Sequence, residues 1–146
     1  MDEPEGRKLA SIAKWGEPRE QWSQDRPSTW TNAFGVVDNF GKTIKGMSVE
    51  LEVFISPRLG VEKFVFTLHQ AELKIQQRAY QLHVNNKPGL TINDHSASHE
   101  HYGEPRFNSD QSWLYLKFDE AIDRFCRMTN LTLTQPLPHY QEFKLK

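Results

Sequence analysis

Between Met47 and Ile55 the chain alternates strictly: Met47, Val49, Leu51, Val53 and Ile55 interleave with Ser48, Glu50, Glu52 and Phe54. A period of two is the mark of a strand that buries one face and wets the other, so this run commits the chain to a sheet with an apolar side. Pro57 ends it. After Arg58-Leu59-Gly60 the alternation resumes, with Phe64, Phe66 and Leu68 on one face and Lys63, Val65, Thr67 and His69 on the other. A hairpin between the two runs is expected. Leu73 and Ile75 prolong this strand or begin another, and Tyr80, Leu82 and Val84 then alternate with Gln81, His83 and Asn85. Upstream, Ala33–Phe40 is strand-like and reaches Gly46 through a turn-like segment, Lys42–Lys45. The pattern is that of an antiparallel meander with a single buried face.

The other periodicity lies near the C-terminus. Asp119 and Glu120 open a segment that closes with Arg124 and Arg127, matching the helix macrodipole, while Phe118, Ala121, Ile122, Phe125 and Met128 or Thr129 fall on one side. This predicts a helix over 119–129, closed by Asn130 in the left-handed conformation. Trp113–Leu116 reads as a strand ahead of it, and Leu131–Leu133 as extended chain behind it. Residues 1–29 are polar, with Trp15 and Trp22 as isolated anchors, and read as an N-terminal arm that either docks its tryptophans on the body or is a loosely held terminal segment. The expected fold is α+β: an arm over 1–29, then one domain over 30–146 in which an antiparallel β-meander of roughly five or six strands packs on one C-terminal helix.

Charge narrows the function classes. The formal net charge is −1, and lysines and arginines are scattered rather than gathered into a run, so broad electrostatic binding to duplex DNA is not expected. A local contact with RNA or a nucleotide is compatible with this composition. Cys126 is the single cysteine, which excludes an intrachain disulfide and a cysteine-built zinc knuckle, and a reducing cytoplasm is the expected compartment. The acidic start, Met1–Gly6, has no apolar core of a signal peptide, and no apolar run approaches the roughly 20 residues of a membrane helix. Cys126 itself, beside the helical stripe, reads as a small buried hydrophobe.

The chemistry concentrates in Asp94–Arg106, where His95, His99 and His101 fall beside acids, Tyr102 and Arg106. Asn85–Gly89 is a turn signal that opens this connector, and Leu90–Ile92 reads as a short piece of strand within it. About 23 residues separate Lys87 from the next apolar run, more than the roughly 12–15 usual for a structureless link. Two readings use the same residues. In the first, a divalent transition metal is held by His99 and His101, which share a face if their segment is a strand, with His95 as a third ligand and His69 or His83 from the meander as a further donor. In the second, no metal is needed: one histidine takes a proton from a ribose 2′-hydroxyl, another protonates the leaving oxygen, and Arg106 holds the phosphate with Tyr102 or Lys87 beside it. Ser96 and Ser98 stand near histidines without the surroundings of a nucleophile elbow.

From about Phe64 to Leu133 the order of elements, with His99-Glu100-His101-Tyr102 followed by Phe118–Phe125, resembles small uncharacterised bacterial proteins carried near toxin–antitoxin or prophage genes. That resemblance implies a prokaryotic or phage setting and a role in conflict or regulation. The function expected is a toxin-like or defence-related protein acting on RNA or a nucleotide through its histidine-rich loop. The alternative is a noncatalytic protein-binding module, an antitoxin, inhibitor or counter-defence protein, that meets a protein partner through its polar arm and exposed sheet edge.

Overall fold

The computed structural model describes residues 1–143. Helix α1 (Glu3–Ser11) is followed by strands β1 (Lys14–Gly16), β2 (Ser23–Arg26), β3 (Thr29–Val37), β4 (Thr43–Ile55), β5 (Glu62–Glu72), β6 (Ile75–Asn85), β7 (His99–Tyr102) and β8 (Arg106–Asn108). Helix α2 (Phe118–Thr129), β9 (Leu131–Leu133) and a 3₁₀ turn (Tyr140–Phe143) complete the described chain. Nine strands form one sheet in the order β8-β7-β6-β5-β4-β3-β1-β9, with β2 paired to β3. Every pairing is antiparallel except β1 with β9. The fold is α+β, as the two periodicities require.

The register of the meander follows its alternation. Val53 faces Phe64, which faces Val84; Leu51 faces Phe66, which faces Leu82. These side chains are 0–2% exposed and make the floor on which α2 lies. Phe125, fully buried, meets the rings of Phe66 and Tyr80 at 6.0 and 5.9 Å. Helix α2 begins where the backbone N–H of Lys117 donates to Glu120 Oε1 at 2.9 Å, and it ends at Asn130, φ 51° and ψ 43°. Among the described residues no helix is long and apolar enough to cross a membrane.

The first 29 residues are built into this frame. Asp2 caps α1 by accepting from the Glu5 amide at 3.0 Å. A β-carbon on Gly6 would stand 2.5 Å from Gly103 N and 2.6 Å from Ala79 O, so glycine alone lets the helix lie against the middle of β6 and the end of β7. Strand β1 completes the sheet between β3 and β9, pairing Lys14 with Leu131. The Lys14 side chain is fully buried and donates to the carbonyls of Ala10, Ile12 and Thr129, joining the C-terminal ends of both helices. Trp22 is buried edge-on against Phe118, its indole N–H donating to Pro138 O at 2.7 Å.

Three local expectations change. Asp38 Oδ1 accepts from the amides of Phe40 and Lys42, so the turn forms there, β3 stops at Val37, and Thr43–Lys45 belongs to β4. Leu90–Ile92 and Trp113–Leu116 are not strands. In the second, side chains replace a neighbouring strand: Ser98 Oγ donates to Leu114 O and Asn86 Nδ2 to Leu116 O, both at 2.7 Å, while Trp113 and Leu114 are buried.

Candidate metal centre

The histidine segment His99–Tyr102 is a strand, not a loop, and this decides which side chains meet. Strand β7 pairs with β6 so that Tyr80 faces Tyr102, Leu82 faces Glu100, Gln81 faces His101 and His83 faces His99. Alternation sends Glu100 and Tyr102 to the helix-covered face and His99 and His101 to the other, where His83 already stands. The rings of His83 and His99 stack at 4.4 Å and 12°, and His101 stands edge-on to both at 5.9 and 5.1 Å. One ring nitrogen from each of the three lies within 4.8 Å of the others.

Each imidazole is fixed by a hydrogen bond that also sets its tautomer. His99 Nδ1 donates to Ala97 O at 2.8 Å and His101 Nδ1 to Glu104 O at 3.0 Å, since a carbonyl can only accept. His83 Nε2 donates to Gln81 Oε1 at 2.7 Å. The Gln81 amide is itself oriented, taking a second proton from Arg78 Nη1 at 3.1 Å and giving one to Thr67 Oγ1 at 2.8 Å. Every ring therefore keeps one unprotonated nitrogen, with its orientation held from behind by a carbonyl or amide, the arrangement found around metal-ligating histidines.

Burial keeps the rings neutral. Removal from water pulls His83 down to about 3, with the charges of His99, His101, Arg78 and Arg106 acting in the same direction. His99 is lowered by burial to about 4 against the opposing bond to Ala97. His101, 9% exposed, is lowered by burial as well. Neutral imidazole is the ligating form, so a metal meets no proton competition here at neutral pH. Nitrogen ligands on a tetrahedral zinc stand roughly 3.3–3.4 Å apart, so ligation by all three would require the stacked rings of His83 and His99 to turn toward a common ion. Three nitrogen donors without thiolate suit zinc, copper, nickel or iron, and leave at least one position for a further ligand.

The rings floor a depression of about 530 Å³ roofed at one side by the 95–96 turn, with Lys63, Arg78 and Arg106 around it. The expected residues divide accordingly. His99, His101 and Arg106 come together. His95 is exposed at the rim and outside the triad, its place as third ligand taken by His83. Tyr102 is withdrawn from the site: it faces the core, with Arg7 at 4.0 Å over its ring and its hydroxyl 3.6 Å from Met128 Sδ. Lys87 is exposed in the turn after β6 and does not line the depression. His69 points at Glu50, 3.7 Å away, one strand beyond. Arg78 was not singled out in the sequence; a register shift between Leu68 and His69 sets it opposite His69. A larger hollow of about 690 Å³ beside Glu17–Glu20 contains no histidine or cysteine among its described lining. Cys126 is half-buried, and burial pushes its thiol up to about 11, which makes it inert.

Comparison with family models, with curated proteins and with solved structures finds no match to this chain, so the geometry of the site carries the functional argument.

Proposed function

We propose that the protein binds a divalent transition metal through His83, His99 and His101 and acts on the phosphate of RNA or a nucleotide. The observation that carries this is the convergence of three neutral imidazoles, each with one nitrogen tied to an oxygen acceptor and one left free. A bound ion supplies an activated water and a Lewis acid for a phosphoryl oxygen. Hydrolysis then adds the elements of water across one P–O ester bond: an oxygen–phosphorus bond forms, the ester bond breaks, and the leaving oxygen takes a proton. His95 is the proton donor this reading assigns, because it lines the same depression outside the triad. Arg78 and Arg106 balance charge on the phosphate. Such an activity accords with the toxin-like or defence-related setting that the resemblance implies.

The test is metal analysis of the full-length protein followed by zinc titration. Wild type takes up one equivalent; His83→Ala, His99→Ala and His101→Ala each lose it by at least tenfold in affinity, whereas His95→Ala binds zinc normally and loses hydrolysis. Absence of stoichiometric metal in the wild type, with no uptake on titration, overturns the proposal and leaves the noncatalytic binding module.

A further inference from the structure

We infer that the depression over the three imidazoles takes a small phosphomonoester, of the mononucleotide class, entered phosphate first, and that an extended RNA strand is not its ligand. This rests on the metal reading above and narrows it.

The lining is unbalanced in charge. Lys63, Arg78 and Arg106 stand around the depression, and among its described lining residues there is no aspartate or glutamate, in a chain whose acids outnumber its bases, 19 to 18. The two arginines are held by neutral acceptors. Arg78 donates to Gly103 O at 3.0 Å, Glu104 O at 3.3 Å and Gln81 Oε1 at 3.1 Å. Arg106 donates to Asn108 Oδ1 at 3.0 Å and Asp94 O at 3.3 Å. Each guanidinium has five N–H groups, so both retain free donors, and neither forms an ion pair with a carboxylate among the described residues. Oriented cations beside a metal position with an open place for a ligand form a receptor for an oxyanion.

The extent of that charge selects the ligand's size. Cross-strand rows run from the histidines back over the sheet: His99, His83 and Val65 lead to Glu52, and His101, Gln81 and Thr67 lead to Glu50. Both glutamates belong to β4, two strands from β6, which at the usual strand spacing is about 10 Å and so about one screening length away. A polyanion continuing across this face would leave these cations for Glu50 and for Glu52, the latter paired with Arg26 at 3.5 Å. In the other direction the sheet ends at β8, one strand past the histidines. Proteins that hold single-stranded RNA track its backbone along a basic groove, and the rows that cross this sheet offer no continuous groove of that kind. The depression, about 530 Å³, exceeds a lone phosphate and leaves space for the organic part of a small ester.

Cobalt(II)-loaded full-length protein, followed by its visible absorption and by calorimetry, tests the inference with inorganic phosphate, adenosine monophosphate, adenosine, acetate and a hydroxyl-ended RNA octamer. Phosphate and adenosine monophosphate shift the cobalt bands, saturate and compete with each other, while adenosine, acetate and the octamer leave the spectrum unchanged at equal concentration. Arg106→Gln weakens adenosine monophosphate at least tenfold with cobalt uptake retained. Cobalt binding in which neither phosphate nor adenosine monophosphate alters the spectrum overturns this inference and spares the metal reading. Tighter binding of the octamer than of the mononucleotide also overturns it. A wild-type protein that takes up no cobalt removes both.

Discussion

Acid should destabilise the metal-free protein through its histidines, by an amount that follows from their surroundings. Burial lowers His83 to about 3 and His99 to about 4, against about 6.5 in an unfolded chain. Between these values the unfolded state holds more protons than the folded one, so stability rises with pH: it is fully present above about 6.5 and is lost progressively below it. Integrated from pH 7.5 to 5, each histidine accounts for about 2 kcal/mol. The two together account for about 3–4 kcal/mol, because part of the lowering of His83 comes from the charge on His99. Domains of this kind have about 5–15 kcal/mol in all, so the loss is a large share. Urea unfolding at both pH values, for the wild type and for the His83→Gln/His99→Gln variant without metal, isolates the effect from carboxylates common to both. The wild type should lose about 3–4 kcal/mol more than the variant. Parallel losses in the two proteins would refute the claim that these rings are buried and neutral.

Two further outcomes follow from other parts of the fold. Lys14→Met leaves the carbonyls of Ala10, Ile12 and Thr129 without their shared donor and should cost about 3–5 kcal/mol in urea unfolding; a change under about 1 kcal/mol would mean that the ammonium is not what joins the two helix ends. Tyr102→Phe removes only a hydroxyl that meets Met128 Sδ at 3.6 Å, so stability should change by less than about 1 kcal/mol with zinc uptake unaltered, and loss of zinc binding would place the ring on the wrong face.

What could be read in advance was what depends on near neighbours in the chain. The alternation of Met47–Ile55 and Tyr80–Asn85 assigned each side chain to a face, and the acids and arginines of α2 located its ends to within a residue. The short strands carry no such signal. Strands β1, β7 and β8 have three or four residues each, too few for a period, and Leu131–Leu133, legible as extended chain, finds its partner β1 more than a hundred residues away. The same limit explains the missing member of the triad. His83 was legible as a polar-face histidine, and His99 and His101 as a same-face pair, but that β6 and β7 are neighbours is a tertiary fact. His95 is near the pair in sequence, but closeness along a turn does not carry a side chain onto a sheet. Trp113–Leu116 misled for a related reason: an apolar run can be buried without a ladder when Ser98 and Asn86 supply the bonds a strand would.

The centre and the core share one strand, and that explains why so short an element can hold two ligands. Slipping β7 by one residue would turn Glu100 and Tyr102 toward the depression and bury both histidines. Four residues of ladder are weak protection against that. The underside supplies the rest: Glu100 Oε2 accepts from Tyr80 OH at 2.7 Å and from Arg124 Nη2 at 3.2 Å, and Arg124 lies 4.0 Å over the ring of Trp113. Glu100 and Arg124 have side chains only 13% and 15% exposed, so a slip would strand a charge in the core at a cost of about 3–5 kcal/mol. Arg7, over Tyr102 from α1, holds the next residue on the same side. The carboxylate between the two histidines thus has its own occupation beneath the sheet, alternation leaves the imidazoles flanking it on the opposite face, and the pairing of β6 with β7 brings His83 beside them.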